Sequence, residues 1–196
     1  SVVTEVASFQ ICGESAYARL GRNAAVQAFD VNEDDMMDIV LSAPGSEFGG
    51  TEALGRVYVF LNRGDFRGSV TVMDADVTLT GGDARYFGNA LHHTDVDGDG
   101  DLDAFVPQYL NPYAGGRAPT PYYDALDGLP AYLLINDGTG QFTDGTAQAG
   151  LAPKRLRRTY SASLVDLDGD HDLDLVVVSD FSGLDLYLND GKGKFK

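Results

Sequence analysis

The sequence lacks tryptophan and has a single cysteine, Cys12, among its 196 residues. One thiol cannot form an internal disulfide, so a disulfide framework is excluded and stability must come from another source. No segment approaches the roughly 18 consecutive apolar residues of a membrane-spanning helix. No basic segment followed by an apolar run marks a leader at the N-terminus. The sequence therefore predicts a protein without a membrane span.

Basic residues are also scarce, with 14 Lys and Arg against 30 Asp and Glu, which gives a formal net charge of −16. A field of this sign repels phosphate backbones, so nucleic acid is excluded as a partner. Half of the acidic residues lie in 30–38, 95–103 and 166–174, with five in each segment. Close carboxylates repel one another, so each cluster requires a counter-charge. We expect the protein without bound cations to be less stable.

The sequence has few stretches with helical periodicity, whereas 24 Gly, 10 Tyr and 10 Phe favour short strands joined by turns. Three units recur, each with a strand, an acidic loop, a second strand, a linker, a third strand, a Gly turn and a fourth strand. We predict an all-β fold with about three units of four antiparallel strands. An aromatic residue after each Gly turn is predicted to start the fourth strand (Phe66, Phe142 and Phe195). The predicted single domain, 1–196, contains repeats 12–80, 81–150 and 151–196, preceded by an orphan strand within 1–11.

Each acidic loop follows the pattern Asp-x-(Asp/Asn)-x-Asp-x-x-x-Asp, with positions numbered 1 to 9. Calcium prefers about six to eight oxygen ligands in tolerant geometry, which the side chains at positions 1, 3, 5 and 9 and the carbonyl at position 7 supply. Zinc would prefer His or Cys. The sequence therefore predicts three Ca²⁺ sites. Their ligands are Asp30, Asn32, Asp34, the carbonyl of Met36 and Asp38; Asp95, Asp97, Asp99, the carbonyl of Asp101 and Asp103; and Asp166, Asp168, Asp170, the carbonyl of Asp172 and Asp174.

An EF-hand loop begins in the same way but requires a Glu at position 12 and a helix on each side. Position 12 is Leu41, Val106 or Val177, each in a predicted strand, so a helix–loop–helix site is excluded. Position 6 makes a sharp turn that favours glycine, and only the second loop has one, Gly100. We therefore expect the second site to bind calcium most tightly and the first, with Asn32 in place of a carboxylate, most weakly.

These residues resemble the FG-GAP repeat and the related VCBS repeat, which occur in integrin alpha chains and in bacterial secreted proteins. Phe87-Gly88 and Leu20-Gly21 stand for the FG element, and Ser42-Ala43-Pro44 for the GAP element. The third repeat departs most, with Tyr160-Ser161 and no GAP element. The resemblance implies four-stranded β-propeller blades with calcium between the first two strands. Three blades are fewer than the roughly four to eight of a ring, so the chain is either part of a longer propeller or pairs head to tail with sister subunits.

The combined pattern predicts a calcium-stabilised extracellular module for adhesion, for binding a protein or glycan ligand, or for self-assembly. Weak modules of this kind need millimolar calcium, which is available outside the cell. The alternative is the propeller part of a secreted enzyme that acts on polysaccharide or lipid, because some such enzymes carry this repeat. The sequence contains no recognisable catalytic constellation. We interpret His92-His93 and His171 as strand and turn residues.

Two further segments have open interpretations. The insertion 111–130, rich in Pro, Tyr and Gly, separates the second and third strands of the second repeat, and it is either a partner-facing loop or an idle surface excursion. The basic segment 154–158 either binds an acidic glycan or pairs with the acidic body of the protein, and pairing is favoured.

Overall fold

The computed structural model describes residues 9–14, 18–21, 26–45, 47–48, 51–81, 87–110 and 118–196. These residues form an all-β structure in which nearly every strand pair is antiparallel, as predicted. Two 3₁₀ turns, Val72–Asp74 and Ala152–Lys154, interrupt the strands. Within the described segments, no helix is long and apolar enough to cross a membrane.

Three antiparallel sheets, named sheets 1, 2 and 3, follow the three predicted repeats. Sheet 1 contains β2 (Val26–Phe29), β3 (Asp38–Ala43), β6 (Arg56–Phe60) and β8 (Val77–Thr80). Sheet 2 contains β9 (His92–Thr94), β10 (Asp103–Val106), β11 (Tyr132–Asn136) and β12 (Phe142–Asp144). Sheet 3 contains β13 (Arg158–Val165), β14 (Asp174–Asp180) and β15 (Gly183–Tyr187), and a bridge between Asn189 and Phe195 extends it. In each sheet, strand order follows chain order, so every acidic loop joins the first two strands.

The first repeat contains extra strands that the sequence did not predict. A short hairpin, β4 (Glu47–Phe48) with β5 (Thr51–Ala53), lies in the linker between β3 and β6. β1 (Phe9–Cys12) pairs in parallel with β7 (Gly68–Thr71). The orphan strand predicted within 1–11 therefore has a partner, and the part of it before Phe9 lies outside the described residues.

The predicted start of a fourth strand at Phe66 is wrong. Phe66 lies outside the strands and stacks on Phe9 with ring centroids 4.7 Å apart. The fourth strand of sheet 1 is β8, which the chain reaches after β7 and the 3₁₀ turn. After this excursion the chain comes back to sheet 1 at Asp76. The Asp76 carboxylate accepts a hydrogen bond from the Leu61 backbone N–H at 2.8 Å. The other two aromatic predictions are confirmed, because Phe142 begins β12 and Phe195 bridges to Asn189.

Side chains alternate between the two faces of a sheet, and apolar side chains lie on both faces here. Both faces of each sheet must therefore be covered. Sheets 1 and 2 share one core, which includes Val40, Val57, Val59, Ala104, Val106 and Leu134. Sheets 2 and 3 share a second core, which includes Phe105, Leu133, Ala162, Leu175 and Val177. A third core covers the other face of sheet 1 and includes Leu41, Tyr58, Phe60, Ile11, Val70 and Val72. The sheets therefore stack in chain order.

The basic segment 154–158 is paired with acidic residues of the protein, as favoured above. Arg158 is fully buried, and its Nε and Nη2 atoms donate to the two carboxylate oxygens of Asp127 at 2.9 and 3.0 Å. Arg157 pairs with Asp124 and, at 2.5 Å, with the buried Asp185. Asp124 and Asp127 belong to the predicted insertion, whose residues 118–130 therefore pack against sheet 3. Residues 111–117 lie outside the described part of the chain.

Candidate metal sites

The aspartate at position 1 folds each acidic loop around its own carboxylate. Asp95 Oδ1 accepts from the backbone N–H of Gly98 at 2.7 Å, and Asp95 Oδ2 accepts from that of Gly100 at 3.1 Å. Asp166 accepts from positions 4 and 6 of its loop in the same way. Asp30 accepts from positions 5 and 6. The two N–H donors on each carboxylate hold the loop closed.

Positions 4 and 6 both have left-handed backbone in all three loops. Their φ angles are 57° at Glu33, 65° at Asp35, 78° at Gly98, 103° at Gly100, 84° at Gly169 and 79° at His171. The sequence predicted the sharp turn at position 6. It also contained a signal for position 4, since Gly98 and Gly169 occupy it, but that position was missed. Three of the six residues are not glycine, and each of those has an unfavourable conformation.

The carboxylate at position 5 caps the residue at position 7. Oδ1 of Asp34, Asp99 and Asp170 accepts from the position-7 backbone N–H at 2.9, 3.0 and 3.0 Å. This bond fixes the backbone of the loop between positions 5 and 7. The position-7 carbonyls of Met36, Asp101 and Asp172 remain predicted ligands.

The aspartate at position 9 joins the loop to the end of the third strand, a link that the sequence did not predict. Asp103 is buried, its Oδ2 accepts from the Val96 backbone N–H at 3.1 Å, and its Oδ1 accepts from the Asn136 backbone N–H at 2.8 Å. Asp38 binds the backbone of Val31 and Asn62 in the same way, and Asp174 that of Leu167 and Asn189. The sequence signal for this link is the recurrent Asn-x-Gly turn, which by itself predicts only a turn.

The same asparagines also connect one sheet to the next. Asn136 Nδ2 in sheet 2 donates to the Val31 carbonyl in the first acidic loop at 2.8 Å. Asn189 Nδ2, after sheet 3, donates to the Val96 carbonyl in the second acidic loop at 2.9 Å. Both acceptors are at position 2 of the loop before. The first and second acidic loops are therefore each tied to their own sheet and to the following sheet.

Carboxylate oxygens converge in two of the three loops. One oxygen from each of Asp95, Asp97 and Asp99 lies within 4.8 Å of the others, and the same holds for Asp166, Asp168 and Asp174. In the first loop, Asn32 Nδ2 donates to Asp34 Oδ2 at 3.1 Å. The position-3 oxygens Asn32 Oδ1 and Asp97 Oδ1 are buried and have no hydrogen-bond partner. An acceptor buried without a donor is costly, and a cation would satisfy it.

Burial shifts several of these carboxyl groups toward the neutral form. It raises the pKa of Asp103 to about 7, although two backbone N–H groups act in the opposite direction. Burial and then the charge of Asp99 raise the pKa of Asp101 to about 6. The same two causes raise the pKa of Asp97. A bound cation would oppose both causes, because it neutralises the neighbouring charge and replaces the lost hydration.

The donor set fits a hard divalent cation. All four predicted side-chain ligands in every loop carry oxygen, and the flexible coordination of Ca²⁺ tolerates one amide oxygen in place of a carboxylate. His171, at position 6 of the third loop, has its side chain exposed and its Nδ1 atom 3.9 Å from Asp166 Oδ2. It does not replace an oxygen donor among the predicted ligands.

The remaining histidines lie in β9, directly before the second acidic loop. His92 and His93 line a cavity of about 220 Å³ together with Gln27, Leu91 and Leu164. Burial lowers the pKa of both imidazoles. His93 stacks on Phe29 with centroids 4.3 Å apart, which is a packing contact. The interpretation of these histidines as strand residues is confirmed by their place in β9.

Comparison with known proteins gives limited matches, and no family model matches the sequence. Phosphatidylinositol-glycan-specific phospholipase D of Dictyostelium discoideum is 26% identical over 108 residues, which are 53% of this chain and 11% of that protein. A solved structure of a lectin from Agrocybe aegerita, described for specific recognition of non-reducing terminal N-acetylglucosamine, aligns with 87% of this chain and 50% of its own chain. Its TM-score is 0.34 at 17% identity. A structural similarity this low carries no argument about fold or ligand.

Proposed function

We propose that this chain is a calcium-stabilised repeat module of the β-propeller type that works outside the cell and presents surface loops to a protein or glycan ligand. The observation that carries the proposal is the threefold recurrence of one loop geometry. In each loop, positions 1, 5 and 9 accept the backbone N–H groups described above, and positions 4 and 6 have left-handed backbone. The buried position-3 oxygens Asn32 Oδ1 and Asp97 Oδ1, which lack a hydrogen-bond partner, support a cation as the ligand of this geometry.

The ions would be held by the fifteen residues predicted from the sequence. Bound Ca²⁺ supplies positive charge to each cluster and removes the repulsion among its carboxylates. The position-9 aspartate accepts hydrogen bonds from the backbone of the loop and of the turn after the third strand. A stabilised loop therefore also stabilises the rest of the repeat. The result is a rigid scaffold from which the linkers between strands, including 118–130, reach the surface.

An extracellular location follows from the affinity class expected for such loops. The first and third loops have strained residues, Glu33, Asp35 and His171, so part of the binding free energy there is used to hold the backbone. Sites of this kind need calcium in the millimolar range found outside cells.

Thermal unfolding in Ca²⁺, in Mg²⁺ and in chelator tests the metal part of this proposal. Ca²⁺ should raise the Tm more than Mg²⁺ does, because Mg²⁺ demands a stricter octahedral geometry. In the Asp97→Ala variant, Ca²⁺ should raise the Tm clearly less than in the unmodified chain, because the Asp97 carboxylate converges with those of Asp95 and Asp99. Asp65→Ala is the matched control, since it removes the same charge at an exposed position outside the loops. Equal Tm values in Ca²⁺ and chelator for the unmodified chain would refute the metal assignment.

A second candidate function is the non-catalytic or catalytic part of a secreted lipid- or polysaccharide-acting enzyme. The partial match to a phospholipase D specific for phosphatidylinositol-glycan favours it. Incubation of the calcium-loaded chain with that lipid class and with acidic polysaccharides tests it. We expect no turnover, and release of phosphatidic acid or unsaturated sugar would establish the enzymatic alternative.

A further inference from the structure

Sheet 3 has one face that no described residue covers, and the part of this face formed by β14 and β15 is apolar. It is formed by residues that lie in β14, in β15 and in the segments next to them. We name it the free face, and it consists of Leu167, Val176, Val178, Leu184, Leu186 and Leu188. Val176 pairs with Leu186, and Val178 pairs with Leu184, so these four form one continuous patch across two strands. Leu184 and Leu186 are 59% and 56% exposed.

The corresponding positions in sheets 1 and 2 are buried by the next sheet. Leu167 is at position 2 of its loop and 43% exposed, whereas the position-2 residues Val31 and Val96 are 1% and 2% exposed. Leu186 corresponds to Val59 in sheet 1, because each pairs with position 11 of its repeat, and Val59 is fully buried. The free face therefore has the composition and register of an internal sheet interface.

A polar anchor accompanies each internal interface. Asn136 donates to the carbonyl of Val31, and Asn189 donates to the carbonyl of Val96. The next carbonyl in this series belongs to Leu167. No asparagine in the described part of the chain donates to it, so the free face offers an acceptor in the place where the two internal interfaces have a hydrogen bond.

We propose that the free face docks a further four-stranded sheet of the same repeat type, with an asparagine after its third strand donating to the Leu167 carbonyl. Continuity with the two internal interfaces identifies this occupant. Sheet 1 of a second copy is a poorer fit, because Ile11, Val70 and Val72 already cover the face that it would have to offer. The inference rests on the repeat character in the proposed function and is independent of which cation fills the loops.

A chain extended by its own second repeat provides the test. Residues 81–150 are repeated after Lys196, Cys12→Ser removes the native thiol, and Leu186→Cys places a thiol on the free face. Maleimide labelling of Leu186→Cys should be at least tenfold slower in the extended chain than in the original chain. Replacement of the asparagine in the added repeat that corresponds to Asn136 by alanine should restore most of the labelling rate. Met73→Cys is the control, because Met73 is 75% exposed and outside the free face, so its labelling should not change.

Unchanged labelling of Leu186→Cys would overturn the proposal, provided that a second extension, residues 151–196, gives the same result. Labelling that slows in the original chain as its concentration rises would also overturn it, because two free faces would then cover each other. The Ca²⁺-dependent Tm of the original chain is measured separately, so failure of the docking proposal is distinguishable from failure of the metal assignment.

Discussion

At the scale of single residues, the position-9 aspartates and the turn asparagines have linked roles. Each aspartate accepts backbone N–H groups from the loop and from the asparagine, so it fixes the loop to the sheet. The Asn136 and Asn189 side chains then reach the preceding loop. The Nδ2 atoms of Asn62, Asn136 and Asn189 all donate to the position-8 carbonyl of their own loop, at 3.2, 3.4 and 3.3 Å. Asn62 differs because, among the described residues, its side chain makes no bond to a preceding loop.

This difference predicts unequal effects of two matched substitutions. Asn136→Ala keeps the backbone donor to Asp103 but leaves the buried Val31 carbonyl without its side-chain donor, which should cost about 1–3 kcal/mol of unfolding free energy. Asn62→Ala should cost clearly less, because its acceptor is in an exposed bond within one loop. Urea unfolding in saturating Ca²⁺ measures both. Equal losses would contradict an inter-sheet role for Asn136.

The raised pKa of Asp103 predicts opposite pH dependence with and without metal. In the metal-free fold the pKa is about 7, whereas an unfolded aspartate titrates near about 3.9. The fold therefore favours the neutral carboxyl, and its stabilising contribution is present at low pH and lost as pH rises toward 7. In Ca²⁺ the ionised form is bound, so stability should instead rise over the same range.

Tm values in chelator and in Ca²⁺ across this pH range measure the effect. Asp103→Asn should flatten the metal-free slope. A metal-free Tm that climbs with pH would show that the cluster is not held neutral by burial.

At the scale of elements, the acidic loop and the turn after the third strand behave as one unit. Gly191 in that turn packs against position 7 of the loop, and a Cβ added there would lie 2.3 Å from Asp172 Oδ2. Gly169 at position 4 has open space around it, with nothing within 4 Å of an added Cβ. Both glycines have positive φ, so a larger residue at either position would have the same backbone strain. The two positions differ only in what an added Cβ would contact.

The pair Gly169→Ala and Gly191→Ala separates these two effects. Gly169→Ala should cost roughly 1–2 kcal/mol from the left-handed conformation alone. Gly191→Ala should cost more and should also weaken Ca²⁺ binding, because Asp172 must move. Chemical unfolding and calcium titration of the two variants provide the comparison. A Gly191→Ala variant with the affinity of the unmodified chain would mean that the turn does not position the loop.

Sequence periodicity predicted the strands that flank each loop but not the excursions between them. Strands β3, β10 and β14 follow the loops directly, because each begins at the position-9 aspartate and continues with apolar residues. The β1–β7 pair brings together residues 59 positions apart, and short strands at such separation leave no local signal. Phe66 was misassigned for this reason, since its stacking partner Phe9 belongs to β1.

At the scale of the whole molecule, the order of stacking was predictable and the partner surfaces were not. Three repeats with one loop each imply three similar sheets in chain order, and the structure has them. The outer face of sheet 1 is covered by other residues, whereas the free face of sheet 3 is exposed. The sequences of β3 and β14 do not predict which of these faces is covered. The pairing of Arg158 with Asp127 in the insertion is equally non-local.

We propose that three acidic loops of one geometry bind three calcium ions. Equilibrium dialysis of chelator-treated protein against radioactive Ca²⁺ at millimolar concentration counts the bound ions directly. We expect three Ca²⁺ per chain at saturation, one for each of the loops 30–38, 95–103 and 166–174. A chain that binds no calcium under these conditions would contradict it.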